Sequence, residues 1–271
     1  MMTRVADALA QARAMGLDRL DAQLIVATQI GRARSWLIAN DDAALEPAQA
    51  AAIELWFARR AAGEPFAYLT GEKEFHGLTL HVDPHVLVPR PDTEVLVDWA
   101  IELLAGAAAP LVVDLGTGSG AIALAVKHAC PHANVLATDA SAQALAIART
   151  NAARLALDVS FAAGSWWAAA TNRQFDLVLS NPPYIAGGDP HLAALQHEPT
   201  LALTPGGDGL DALREIVRGA PQHLSPGAWL LLEHGYDQAD AVQAMLRAQG
   251  FSVIATRHDL GGQPRCTGGR L

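Results

Sequence analysis

Residues 111–120 read LVVDLGTGSG, and this stretch sets the fold. Leu111-Val112-Val113 is a continuous apolar run without polar alternation, the mark of a strand covered on both faces. Asp114-Leu115-Gly116-Thr117-Gly118-Ser119-Gly120 closes that strand, and GAIALAVKHA (120–129) continues in helix-forming residues. Strand, glycine turn and helix in this order suit a nucleoside-binding unit, because glycines permit the tight turn and let backbone approach a ligand. Working outward, the alternation continues. NVLATD (134–139) is a second strand, and SAQALAIARTNAARL (141–155) is a helix with Ser141 at its N-cap. VSFAAG (159–164) and FDLVLS (175–180) are a third and fourth strand. DALREIVRGAPQHL is helical, AWLLLEHG a fifth strand, and DQADAVQAMLRAQG a further helix. FSVIATRHDL and RCTGGRL suit a last pair of strands. The pattern predicts an α/β fold, a Rossmann-like and mostly parallel sheet with helices on both faces.

Upstream the character changes. Val5, Leu9 and Ala12 repeat at helical spacing, as do Leu20, Leu24 and Ala27, and Asp18 and Asp21 suit a helix start after Gly16. PAQAAAIELWFARRAAG (47–63) is a third helix, with Pro47 in its first turn and Gly63 past its end. From residue 64 to 92 several Pro and Gly residues interrupt short β-prone runs, and FHGLTLHVD fits a hairpin. Helix resumes at Asp92. The expected organisation is a helical substrate-binding domain over 1–70, a linker with a β-hairpin over 71–91, and an α/β domain over 92–271.

The chain has 271 residues, 51% hydrophobic and 17% charged, so a sizeable core is within reach and wholesale disorder is excluded. Its net charge of −9, with no run of Lys or Arg, argues against direct binding to nucleic acid. Cys130 and Cys266 cannot form a disulfide framework, and neither has a neighbouring Cys to make a zinc pair. The charge-interrupted N-terminus is unlike a signal peptide, and no charge-free stretch is long enough to span a bilayer. A soluble cytoplasmic protein without membrane contact is expected.

Two constellations carry chemistry. The first is the glycine loop with Asp139, an acid at the end of the second strand, spaced to hydrogen-bond ribose hydroxyls. A dinucleotide and S-adenosylmethionine both fit such a crevice. The GxGxG spacing, and Asp114 two residues before the first glycine, favour a cationic sulfonium over a pyrophosphate. The second is Ser180-Asn181-Pro182-Pro183-Tyr184, directly after the fourth strand. An amide-type NH2 is a poor nucleophile, because its lone pair is delocalised. Methylating it requires two acceptors that take its N–H groups, aim the lone pair at the methyl group and stabilise the charge growing on nitrogen. The Asn181 side-chain carbonyl is one acceptor. The Pro182 backbone carbonyl is the other, held rigid because Pro183 restricts the residue before it. Tyr184 supplies a flat wall.

With FHGLTLHVDPHVLVPRPDTEVLVDW, DLGTGSGAIALA, ATDASAQALAIARTNA, FDLVLSNPPYI, EPTLALTPGGDGLDALREIV and LLLEHGYDQADAV, the chain resembles the HemK/PrmC family of protein-(glutamine-N5) methyltransferases. VPRPDTE and the EP…AL…GGDGL segment carry the resemblance more specifically than NPPY, which adenine-N6 methyltransferases share. The resemblance implies a class I S-adenosylmethionine-dependent methyltransferase sheet and a helical N-terminal domain that grips a peptide chain release factor. The acceptor it implies is the Gln of that factor's Gly-Gly-Gln motif, and the product S-adenosylhomocysteine. It places the cofactor on Gly116, Thr117, Gly118, Ser119, Gly120 and Asp139, with Trp166 at the adenine. It gives Asn181 contact with donor and acceptor, and frames the glutamine with Pro182, Pro183 and Tyr184. Glu94 would help close the cofactor pocket. The rivals are an adenine-N6 methyltransferase on DNA or RNA and a non-catalytic S-adenosylmethionine-binding module.

Other features read more blandly. Gly187-Gly188 predicts a flexible loop after NPPY, and Cys266 a packing residue. Gly261-Gly262-Gln263 is a chance match in a surface loop. His81, Asp83 and His85 are hairpin surface residues, with no metal expected. Trp56 and Trp99 are packing residues, and Arg59-Arg60 a solvated face.

Overall fold

The computed structural model describes residues 3–271, and its backbone contacts divide the chain into two compact units, Met1–Gly71 and Glu72–Leu271. The first unit is helical: α1 (Val5–Ala14), α2 (Arg19–Ile30), α3 (Arg34–Ala39), α4 (Pro47–Ala61) and α5 (Phe66–Thr70). Local chemistry sets the ends of these helices. The Asp18 carboxylate accepts the Leu20 N–H at 2.7 Å to open α2, and Gly31 closes it in the left-handed region. Ile53 and Phe57, one turn apart on α4, are fully buried with Val5, Ile25, Val26 and Leu37. Each such side chain contributes about 1.5–3 kcal/mol by leaving water. Two expectations change here. EPFAYLTG looked β-prone, but Phe66–Thr70 is a short helix that begins after Pro65 and stops at Gly71, φ 73°. Arg59 and Arg60 are not a simply solvated face: Arg59 pairs with Glu64 at 2.5 Å and Arg60 with Asp21 at 2.8 Å.

The second unit opens with a hairpin, β1 (Glu72–Phe75) and β2 (Leu78–His81). His76 and Gly77 both have positive φ, as a two-residue turn with the native strand twist requires. Asn151 anchors the hairpin: its Oδ1 accepts from His81 N at 2.7 Å and its Nδ2 donates to His81 O at 2.9 Å. Then come α6 (Glu94–Leu104), β3 (Leu111–Leu115), α7 (Ala121–Ala129), β4 (Asn134–Asp139), α8 (Ala142–Leu155), β5 (Ser160–Ala163) and β6 (Phe175–Ser180). The chain finishes with α9 (Thr200–Leu203), α10 (Asp211–Gly219), β7 (Leu224–Glu233), α11 (Ala239–Ala248), β8 (Ser252–His258) and β9 (Pro264–Arg270).

The seven-stranded sheet has the order β5-β4-β3-β6-β7-β9-β8. Only β9 runs against the others. The continuous apolar runs follow from two-sided burial. Val112, Leu177, Leu179 and Leu231 face one core with α6, α7 and the hairpin. Val113, Leu115, Val178, Leu230 and Leu232 face a second core with α10 and α11. Strand order reverses between β3 and β6, and the carboxyl ends of strands at such a switch point are where open α/β sheets form the crevice that takes a ligand.

Candidate active site

The glycine loop leaves β3 with Gly116, Gly118 and Gly120 all at positive φ, 75°, 55° and 85°. Gly116 and Thr117 both donate their N–H to Thr138 O, at 2.9 and 2.8 Å, which locks the loop to β4. A Cβ at Gly120 would press on Leu124 and Ala148, so this glycine lets α7 pack close to α8. Beneath the loop Asp114 is fully buried. Its Oδ2 accepts from Thr117 Oγ1 at 2.5 Å, and its Oδ1 has no hydrogen-bond partner. Burial pushes its pKa up to about 7, against the hydrogen bond from Thr117, while the neighbouring Asp139 charge adds to the rise. Asp139 is half-buried at the end of β4. Each of its oxygens already accepts a backbone amide, Oδ2 from Gly118 at 2.9 Å and Oδ1 from Ser141 at 2.8 Å. A carboxylate oxygen accepts more than one hydrogen bond, so these contacts aim the group without exhausting it.

The adjacent tryptophans separate cleanly. Trp166 has φ 44°, a conformation uncommon for a bulky residue, and its ring lies 3.3 Å from where a Cβ on Gly116 would stand. Trp167 turns into the core instead. Its Nε1 donates to Ile216 O at 3.0 Å, and its ring stacks on His223 at 4.6 Å. Trp166 is therefore the one against the glycine loop.

The NPPY loop starts where β6 ends, and the Ser180 hydroxyl donates to Leu115 O at 2.7 Å, joining it to the end of β3. Asn181 Nδ2 donates to Thr93 Oγ1 at 3.2 Å. Pro182 is buried, while Pro183 and Tyr184 are half-buried. Tyr184 OH donates to Glu233 Oε1 at 3.1 Å, and burial beside that acid pushes the phenol pKa up. The Tyr184 carbonyl accepts from Gln238 Nε2 at 3.0 Å. The loop beyond is held, contrary to the expectation for Gly187-Gly188. Ile185 N donates to Leu203 O and Gly187 N to Gly207 O, at 3.0 and 3.1 Å. Without a side chain, Gly187 can approach the Gly206 backbone closely enough for this pairing. A Cβ on Gly209 would overlap the Tyr184 carbonyl oxygen.

The two most specific sequence segments meet here. Glu198, buried, pairs with Arg90 and accepts the Val88 N–H at 3.0 Å, tying VPRPDTE to EPTLALTPGGDGL. Glu94 accepts the His76 N–H at 3.1 Å, an attachment to the hairpin turn. Thr93, Glu233, Gln238 and Glu198 were not singled out from the sequence. The one signal available was an acid, Glu233, ending the otherwise apolar WLLLE.

Other candidates lie apart from this constellation. His85 Nδ1 sits 3.0 Å from Asp83 Oδ1, and among the described residues no three His, Cys, Asp or Glu side chains gather as a metal site. Gln263 is exposed in the β8–β9 turn, its N–H donating to Asp259 Oδ1 at 2.9 Å. Cys130 and Cys266 are buried thiols, and Trp99 packs edge-on against Trp229 at 5.9 Å.

Known proteins resemble the chain at three levels. A family profile described as "Methyltransferase small domain" matches residues 93–248, and one described as "PrmC N-terminal domain" matches residues 1–71. A Bordetella pertussis protein named "Release factor glutamine methyltransferase" is 50% identical over 100% of both chains. A Burkholderia pseudomallei protein of the same name is 48% identical over 96% of this chain and 94% of its own. Among solved structures, a methyltransferase from Pyrococcus furiosus superposes with a TM-score of 0.54 at 18% identity, covering 80% of this chain and 95% of its own, a likeness of fold.

Proposed function

The chain belongs to the release factor glutamine methyltransferase family, and from that premise we propose that it methylates the side-chain amide nitrogen (N5) of the glutamine in the Gly-Gly-Gln motif of a peptide chain release factor. S-adenosylmethionine is the proposed donor, leaving as S-adenosylhomocysteine. The residues at the crevice fit it. Asp114 keeps a buried carboxylate oxygen without a partner under the loop, suited to a cationic ligand. Gly118 faces open space where a side chain would otherwise stand. Gly116, Thr117, Gly118, Ser119 and Gly120 cradle the amino-acid portion, Asp139 meets the ribose, and Trp166 covers the adenine. When bound, this donor supplies a methyl group on a positively charged sulfur.

The observation that carries the reading is the orientation of Asn181. With its Nδ2 donating to Thr93, its Oδ1 is the end of the amide left to accept. In this role Asn181 Oδ1 accepts one N–H of the acceptor amide and the Pro182 carbonyl accepts the other. The nitrogen lone pair then turns out of conjugation, towards the methyl group. Both oxygens stabilise the positive charge that develops, and fixed acceptors act more strongly here than mobile water would. Pro183 and Tyr184 flank the planar amide. No strong base is needed, because the N–H protons become acidic only as the new bond forms.

The N-terminal unit is the proposed grip on the release factor. No helix among the described residues is long and apolar enough to cross a membrane, and a translation-termination substrate places the reaction in the cytoplasm. The test offers labelled methyl donor with purified release factor and nucleic acid side by side. Label is expected on the release factor glutamine; label in nucleic acid alone overturns the reading.

A further inference from the structure

We propose that Gln238 is a positioning residue: through the Tyr184 main-chain carbonyl it holds the NPPY loop in the place from which Asn181 and Pro182 meet the acceptor amide. This rests on the methyl-transfer reading above.

The loop offers a fold few groups to hold it by. Pro182 and Pro183 have no N–H to donate. In the proposed mechanism the Pro182 carbonyl belongs to the acceptor amide, so a protein partner there would compete with the substrate. Among the described residues, the first main-chain group past Asn181 with a hydrogen bond is the Tyr184 carbonyl, which accepts from Gln238 Nε2 at 3.0 Å. That bond fastens the loop one residue beyond the paired prolines and leaves the Pro182 oxygen to the substrate. Glutamine suits the place because its amide carries a donor and an acceptor at one tip. While Nε2 donates to Tyr184 O, Oε1 accepts the Gly235 N–H at 2.9 Å. Both partners are main-chain groups, a carbonyl that only accepts and an N–H that only donates, so they allow one orientation of the amide. The Gln238 N–H donates to Gly235 O at 2.9 Å, which closes the turn between β7 and α11 around the side chain. Gly209, at φ 81°, completes the crossing: a Cβ there would overlap the Tyr184 carbonyl oxygen and stand 3.1 Å from Gln238 Nε2.

The end of β7 and the turn after it thus reach Tyr184 twice. Glu233 Oε1 accepts from the phenol OH at 3.1 Å, and Gln238 holds the main chain of the same residue. One attachment alone would let Tyr184 pivot; two fix both its place and its tilt. The next residue is fastened too, with Ile185 N donating to Leu203 O at 3.0 Å. Losing the Gln238 bond frees the middle of this span. The proline rings then matter, because a fixed φ at Pro183 passes a displacement of Tyr184 back to the Pro182 carbonyl instead of absorbing it. Acceptor oxygens work by alignment, and a shift of about 1 Å is enough to cost much of the rate. Gln238 has no part in the proposed contacts with donor or acceptor; it acts only through Tyr184.

The test compares wild type, Gln238→Glu and Gln238→Met in steady-state methylation of purified release factor, with cofactor affinity from calorimetry. Gln238→Glu is the deciding variant. Ionised, it keeps an acceptor for the Gly235 N–H but sets a carboxylate oxygen against the Tyr184 carbonyl, where a donor is needed. Its kcat should fall on the order of tenfold or more, the scale of a misplaced reacting geometry, with cofactor affinity and the KM for release factor little changed. Gln238→Met removes both hydrogen bonds and should show the same split between kcat and KM. An active wild type whose Gln238→Glu variant keeps full kcat overturns the positioning role, because the glutamine then serves only its own turn. So does a loss of cofactor affinity in step with kcat, which marks a merely structural role. Wild type that transfers no methyl group to release factor overturns the functional reading, and this inference with it. Should Gln238→Glu fail to fold, Gln238→Met decides by the same split.

Discussion

At the scale of single residues, the proposed chemistry concentrates in a few acceptor oxygens. In the proposed mechanism Asn181→Ala removes an acceptor that acts in the transition state, so about 3 kcal/mol of barrier lowering should go, seen as a kcat loss of about 10²-fold or more. Cofactor affinity measured by calorimetry should stay close to wild type. Trp166→Ala should do the reverse. Losing an aromatic face against a base costs about 1–3 kcal/mol, so cofactor affinity should drop about tenfold or more while bound enzyme still turns over. Asn181, Pro182, Pro183 and Tyr184 could be proposed from sequence because they are contiguous and their residue types suit the proposed chemistry. Thr93 and Glu233 could not. They stand 88 residues from Asn181 and 49 from Tyr184, and nothing local to either marks it as a partner.

Among elements, the β3–loop–α7 unit sets three left-handed glycines over one buried acid. Asp114 has a folded-state pKa near 7 against an ordinary value of 3.8, so between these limits the native state holds a proton that the unfolded chain has released. Stability from this group is therefore full below the window and is lost as pH rises through it. Asp114→Asn removes the titration. Its melting temperature relative to wild type should be more favourable above neutral pH than in mild acid, as thermal unfolding at two pH values would reveal; a constant difference contradicts the assignment. Element types were legible here because two-sided burial writes continuous apolar runs and the turns write glycines. The helix Phe66–Thr70 was not, since five residues carry too little periodicity to outweigh their aromatic and β-branched members. The pairing of Gly187 with Gly207 was also hidden, because two glycines read as freedom until a partner backbone is beside them.

For the whole molecule, the division at Gly71 separates a helical unit with its own core from the sheet that carries every proposed catalytic and cofactor residue. Removing residues 1–71 should leave cofactor binding near its full-length value and depress methyl transfer to release factor chiefly through a raised KM. Calorimetry and kinetics on the truncated chain check this, and an unchanged KM removes the proposed grip from the helical unit. The net charge of −9 belongs to this scale too, since it opposes a phosphate backbone over the whole surface rather than at one contact.

Sequence alone determined the alternating elements, the α/β class, the glycine loop and the place of the Asn-Pro-Pro-Tyr loop after its strand, because each is written in neighbouring residues whose sterics and hydrogen-bonding capacity act locally. Only the tertiary structure decided which tryptophan faces the loop, that Glu198 and Arg90 bind two distant segments, and that Thr93 holds Asn181 by its amide nitrogen. Those outcomes depend on which strand ends the sheet order brings together. That order is fixed by packing both faces at once, a property of the folded chain that no short window of residues contains.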